Sequence, residues 1–170
     1  MKLHLGCGRR RLDGFVNIDS RASVKPDRVM DVTDLEGIED DSASLIYACH
    51  VLEHIPRPDV QITLREWRRV LKAGGTLRVA VPDFDAVVSL RCVGVSMWRL
   101  VGLLCGRQDY PENTHYMVYN YEYLAWVLGE AGFYDIRTWQ PDIVLPLDYD
   151  DYSRAKIEGQ CVSLNVEATA

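Results

Sequence analysis

The chain has 170 residues, enough for one domain around a single core and short for two. Hydrophobic residues at 48% and charged residues at 26% are ordinary for a globular protein, and a formal net charge of −6 argues against a general nucleic-acid or anionic-membrane binder, which needs a cationic face. No apolar run approaches the roughly 18 residues that span a bilayer, and the start MKLHLGCG lacks the apolar core and cleavage site of a secretory leader. The five cysteines are scattered without a C-x-x-C pair, so reduced thiols in a cytoplasmic protein are expected.

In chain order, KLHL (2–5) reads as a strand that runs into a tight turn at Gly6 and Gly8. FVNID (15–19) is a second strand ending in an acid, and DRVMDVT (27–33) a third. SLIYACHV (44–51) is nearly continuous in apolar character, as a buried parallel strand should be. VQITLREWRRVLKAGG (60–75) places Ile62, Leu64, Trp67, Val70 and Leu71 at helical spacing, with Gly74 and Gly75 closing the helix; TLRVAVPD (76–83) is the next strand. Residues 85–107 are apolar and read as helical, interrupted by Gly94, Gly102 and Gly106. A turn-rich loop (108–116) precedes a helix over 119–133, capped by Asn120 and ended by Gly132. A strand at 134–140, an irregular acidic stretch at 141–159 and an alternating strand at 160–169 complete the chain. Strands interleaved with helices predict one α/β domain over 1–170 with a mostly parallel sheet. In such sheets ligands bind beyond the carboxyl ends of the strands. That rim holds Gly6–Gly8, Asp19, Asp31 and the stretch from Cys49 to His54.

Two glycines after the first strand let a ligand approach the main chain. Asp19, ending the second strand, has the chemistry to accept two hydrogen bonds from a ribose diol, and Asp31 could accept from an adenine amino group. The blocks LGCG (5–8), NID (17–19), DDSASLIYACHVLEHI (40–55), RVLKAGG (69–75), LRVAVPD (77–83) and LGEAGF (128–133) together resemble the class I S-adenosylmethionine-dependent methyltransferases. Within them the sequence is most similar to small methyltransferases associated with cell-surface sugar biosynthesis. The resemblance implies a Rossmann-like seven-stranded sheet with the last strand antiparallel and S-adenosyl-L-methionine as cofactor. It implies Gly6, Cys7 and Gly8 at the methionine portion, Asp19 with Ser20 at the ribose, Asp31 and Val32 at the adenine, and Cys49 and His50 beside the sulfonium. Two departures stand out: only RRRLDG separates the first two strands, where the family has a helix, and Arg9 and Arg10 follow Gly8. The missing wall calls for cover from a partner or from the 85–107 segment.

Methyl transfer is a displacement in which alignment does most of the work, with a base for a hydroxyl acceptor. The candidate catalytic residues are His115, His54 and His50, with His115 in the loop where the resemblance places acceptor contacts. Glu53 reads as a solvated acid or as hydrogen-bonded to nearby backbone or to Arg9. Arg9–Arg11 suit a carboxylate or phosphate, and Tyr116, Tyr119, Tyr121, Tyr123 and Trp126 form an aromatic group on the same side. The expected acceptor is a small molecule such as a sugar or glycan precursor, with no nucleic acid, and residues 85–118 serve as a lid or a homodimer face. A catalytically inactive binding subunit of the same fold is the second reading. HVLEH (50–54) also fits the H-x-x-E-H of a zinc hydrolase, with Glu122 or Glu130 as third ligand. Pro56 and Pro58 restrict any helix there, so no metal is expected. A nicotinamide dehydrogenase fits worse, because Arg11 occupies the third glycine position of G-x-G-x-x-G.

Overall fold

In the computed structural model, which describes residues 1–146 and 148–170, seven strands form one sheet. They are β1 (Lys2–Leu5), β2 (Val16–Asp19), β3 (Arg28–Val29), β4 (Ala43–Cys49), β5 (Leu71–Pro82), β6 (Tyr134–Thr138) and, last in the chain, Ser163–Thr169. Between these lie a two-stranded hairpin, β7 (Lys156–Ile157) and β8 (Gln160–Cys161), so the closing strand is β9. The sheet order is β3-β2-β1-β4-β5-β9-β6, parallel except for β9, which runs antiparallel between β5 and β6. This is the α/β sheet that the sequence predicts. Position 147, inside the stretch read as irregular, lies outside the described residues.

The two-residue period of the central strands divides the interior. Leu3, Leu5, Ile46, Ala48, Leu77, Val79 and Val81 face one way into the main core. There they meet α1 (Val60–Val70) and α4 (Tyr121–Glu130). Helix α1 buries Val60, Thr63, Leu64, Trp67 and Val70, a stripe at three- and four-residue steps. Ile62, expected on that stripe, is 65% exposed. The helix also stops at Val70, short of the expected Gly75: Leu71 is already extended and pairs with Ala43 on β4. Sheet pairing thus overrides the helical propensity of LKA.

The opposite face carries Tyr47 and Ala80, in a smaller cluster with Leu12, Trp139 and Leu145. The crossover 6–15 holds only turns, and Trp139, Val144, Leu145 and Tyr149 supply its missing wall. Val144 ends the short helix α5 (Pro141–Val144). Residues 85–107 do not fill that place. Residues 85–107 form two helices, α2 (Phe84–Cys92), capped by Asp83, and α3 (Met97–Cys105), which break at 93–96. They pack a third cluster with Val162. The strand expected over 27–33 shrinks to two residues because Asp31 turns the chain, accepting from Thr33 N at 2.9 Å and Thr33 Oγ1 at 2.8 Å. Among the described residues no helix is long and apolar enough to cross a membrane.

Trp67 ties helix to sheet rim: it is fully buried and its Nε1 donates to Val32 O at 2.7 Å. Trp67→Ala should cost about 3–5 kcal/mol. Trp67→Phe should cost roughly 1–3 kcal/mol through the stranded carbonyl. Urea midpoints at unchanged m-value check both.

Candidate active site

The turn after β1 is dictated by glycine. Gly6 has φ +61°, and a β-carbon there would lie 2.4 Å from Val51 Cγ2. Asp19 fixes the turn from below: its Oδ2 accepts Gly8 N at 2.8 Å, while Oδ1 accepts Arg21 N at 3.0 Å and Arg21 Nε at 3.2 Å. The Arg21 guanidinium in turn stacks 4.7 Å above the Tyr110 ring. Burial, reinforced by Asp19, pushes the Cys7 thiol up to about 11, so it is a neutral wall.

β4 ends in Cys49, and His50 follows in the left-handed region at φ +53°, its N–H held by Ala80 O at 2.8 Å. A non-glycine residue there marks a conformation that the surroundings enforce. The one-turn 3-10 helix Leu52–His54 then buries Glu53 completely. His50 Nδ1 stands 3.2 Å from Glu53 Oε1, and His115 Nε2 stands 4.0 Å from it. His115 arrives from far along the chain. Gly106 allows this: a β-carbon there would fall 2.2 Å from Asn113 O, so only glycine lets the loop fold back. Tyr116 N and Met117 N both donate to Glu53 O, at 2.8 and 3.2 Å, and pin that loop to the turn. His54 and His115 meet edge to face at 4.7 Å between ring centroids. One ligand-type atom from each of Glu53, His54 and His115 lies within 4.8 Å of the others.

Burial alone would raise the Glu53 pKa, but His50 and then His54 outweigh it and hold the carboxylate below its ordinary range. Burial lowers His115, with Glu53 partly opposing, so its imidazole is neutral near pH 7. Burial also drives the Cys49 thiol well up.

A cavity of about 910 Å³ brings these parts together, within the range of small-molecule sites. Gly6, Cys7, Gly8, Cys49, His50, His54 and His115 all line it. Asp19 lies buried beneath the glycine turn, and Ser20, Asp31 and Val32 stand outside the lining; Ser20 and Asp31 are exposed. Arg9 and Arg10 line the cavity, whereas Arg11 pairs with Asp27. Glu53 corrects its sequence reading: its carboxylate is not solvated, is not paired with Arg9 and accepts no hydrogen bond from nearby backbone among the described residues. Nor does the aromatic group line the cavity: Tyr119, Tyr123 and Trp126 stack on one another at 5.8 and 5.9 Å, with Tyr119 buried.

The sequence reading missed the contribution of residues 149–154. Buried Asp151 accepts from Tyr47 OH and from Ser153 N, the latter at 2.9 Å. The Tyr152 ring lies 5.3 Å from that of His50 and 5.3 Å below the Arg10 guanidinium. His4 was missed too. It is buried in β1 on the cavity wall, its Nδ1 3.0 Å from Asn17 Oδ1, an oxygen fixed as an acceptor by Leu12 N at 2.8 Å. No periodic signal marks the 149–154 stretch; the polar His4 inside an otherwise apolar strand was the one visible clue.

A family model described as a methyltransferase domain matches residues 13–79, about two fifths of the chain, starting after the glycine turn. No curated protein sequence matches significantly. Among solved structures, an S-adenosylmethionine-dependent methyltransferase from Archaeoglobus fulgidus is 14% identical with TM-score 0.64, covering 99% of this chain and 85% of its own. The 1,6-didemethyltoxoflavin-N1-methyltransferase of Burkholderia thailandensis, solved with 1,6-didemethyltoxoflavin and S-adenosylhomocysteine, is 15% identical with TM-score 0.59, covering 99% and 69%. The fold is the Rossmann-like methyltransferase fold, and together with the family match it supports S-adenosylmethionine as the cofactor.

The buried histidines make stability pH-dependent. His4, depressed first by burial, and His115 stay neutral in the native state, while an unfolded histidine takes a proton near 6.5. The unfolded chain then binds more protons, so stability falls as pH drops from about 7 towards 5. Depression of Glu53 adds a loss in the same direction below its ordinary 4.5. Urea midpoints across this window should decline, and the His4 ring should titrate below the ordinary 6.5; a His4 midpoint at or above 6.5 would contradict this.

Proposed function

We propose that the protein transfers a methyl group from S-adenosylmethionine to a hydroxyl of a small-molecule acceptor, a sugar or glycan precursor. The observation that carries this reading is the single cavity lined both by the glycine turn Gly6–Gly8 and by His50, His54 and His115. The residues present fit the cofactor. The space that a β-carbon at Gly6 would need is already taken by Val51, so the bare main chain borders the cavity. Arg9 or Arg10 would meet the cofactor carboxylate, and Cys49 and His50 would border its sulfonium, with the buried carboxylate of Glu53 behind them. Asp19 would hold the ribose. Three donors already occupy it, so a diol would displace Arg21 Nε while Gly8 N stays in place. Asp31 and Val32 would meet the adenine at the rim.

The bound cofactor supplies an activated methyl group. The protein's own part is alignment, together with removal of the acceptor proton. A neutral His115, with Nδ1 held by Leu103 O at 3.1 Å and Nε2 free of that bond, has the form of a base. Aromatic Tyr110 and Tyr152 on the cavity wall suit the apolar faces of a sugar ring. The α3 face, where Trp98 is 90% exposed, would serve a homodimer contact. The five unpaired cysteines suit a cytoplasmic protein.

A thermal-shift titration tests the cofactor. S-adenosylhomocysteine at a hundredfold over its Kd should stabilise by about 2.7 kcal/mol, a Tm rise of roughly 5–10 °C. The rise should vanish in Asp19→Ala. His115→Ala should keep the rise and lower turnover on a hydroxyl acceptor by roughly a hundred- to ten-thousandfold. No response to the thioether would sink the reading, and unchanged turnover in His115→Ala would remove that residue from the chemistry.

A further inference from the structure

Glu53 is fully buried, and among the described residues neither carboxylate oxygen has a hydrogen-bond partner. The His50 nitrogen at 3.2 Å is near enough for an ion pair but outside hydrogen-bond geometry. A charged carboxylate in this state is expensive unless something positive completes it. Its neighbours are prepared for a cation. His54 Nδ1 lies 3.1 Å from Thr114 O, and His115 Nδ1 lies 3.1 Å from Leu103 O. A carbonyl only accepts, so in both rings Nδ1 is the donor to the main chain, and Nε2 is the ring nitrogen left to meet a metal ion. A ring N–H fixed by a backbone carbonyl is the usual outer-sphere arrangement of a metal-binding histidine.

From this geometry we infer that Glu53, His54 Nε2 and His115 Nε2 form a binding site for a divalent transition-metal ion of the zinc class. Two imidazoles and one carboxylate are a borderline donor set that suits zinc, cobalt or iron better than magnesium or calcium, which favour oxygen alone. Metal bonds of about 2.0–2.1 Å place tetrahedral donors roughly 3.4 Å apart. One ligand-type atom from each of the three residues already lies within 4.8 Å of the others, and His115 Nε2 stands 4.0 Å from Glu53 Oε1, so side-chain movements close the site. His54 and His115 line the cavity, which gives the ion an entry path and leaves a coordination position for a ligand. Three protein ligands with an open position is the pattern of a reactive rather than a structural ion. The site departs from the H-x-x-E-H expectation: His50 is not a ligand, and the second histidine comes from the returning loop. The inference stands without methyl transfer. If that reading also holds, the ion would take the His115 lone pair and activate an acceptor hydroxyl by coordination, in place of a free imidazole.

The test uses the full chain, stripped with a chelator and titrated with Zn²⁺ by calorimetry and with Co²⁺ by visible absorption. One equivalent should bind, with cobalt d–d bands. His54→Ala, His115→Ala and Glu53→Gln should each weaken binding by more than the roughly 10–100-fold seen on losing an outer-sphere partner. X-ray absorption on the zinc-loaded, unsubstituted protein keeps the inference testable if a variant fails to fold. It should show two imidazoles and oxygen. Substoichiometric binding, full affinity in a His54→Ala, His115→Ala double variant, or sulfur at about 2.3 Å would each overturn the inference. S-adenosylhomocysteine titrated in parallel separates the two readings: metal without a thioether response would leave this site standing and remove the methyltransferase, and the reverse would do the opposite.

Discussion

Burying the Glu53 carboxylate without a hydrogen-bond donor of its own costs several kcal/mol, and the surrounding structure is arranged about that charge. The one-turn helix Leu52–His54 points the side chain inward. The backbone carbonyl of the same residue receives Tyr116 N and Met117 N, so the loop carrying His115 is fastened at the residue whose charge it faces. His50 contributes from the other side in a left-handed conformation. Each of these features is unfavourable or neutral alone. Together they hold three imidazoles around one anion, an arrangement that hydrophobic packing alone would not select.

The second constraint is the thin face of the sheet. A short crossover after β1 leaves the Tyr47 and Ala80 side without a crossover helix, and the chain answers with Trp139, Val144, Leu145 and Tyr149. That cover reaches the cavity as well as the core. Tyr47, rooted in β4, donates to Asp151, and Tyr149 OH donates to Arg10 O at 3.2 Å beside the glycine turn. Replacing a crossover helix by a late segment therefore adds Asp151 and Tyr152 to the site, where a helix would have stayed outside it. The shortened crossover changes the cavity wall and leaves the sheet order intact.

Much of the fold was legible because the central strands and α1 show their period plainly: Leu3, Leu5, Ile46 and Ala48 alternate, and Leu64, Trp67 and Val70 recur at helical steps. What failed was local. Gly74 and Gly75 looked like a helix stop, yet pairing of Leu71 with Ala43 ends the helix a turn earlier. The glycine turn and the histidines were visible as motifs. Glu53 was misread because nothing within HVLEH announces that residues 106–117 will close over it. Asp151 and Tyr47 meet across 104 positions, and no window of sequence reports such a contact.

HVLEH can now be read residue by residue. His50, Glu53 and His54 turn to the polar cluster, while Val51 and Leu52 enter the core. Val51 is also the side chain that fills the space beside Gly6. One short stretch therefore touches the glycine turn through Val51 and the buried histidine cluster through Glu53 and His54. A shift in its backbone moves both walls of the cavity together, and under the proposed methyl transfer that coupling would keep donor and acceptor aligned. The tight 3-10 turn differs from the regular helix of a zinc protease. It sets His50 and Glu53 side by side three residues apart, and leaves the third histidine to come from a loop that the same carboxylate residue anchors.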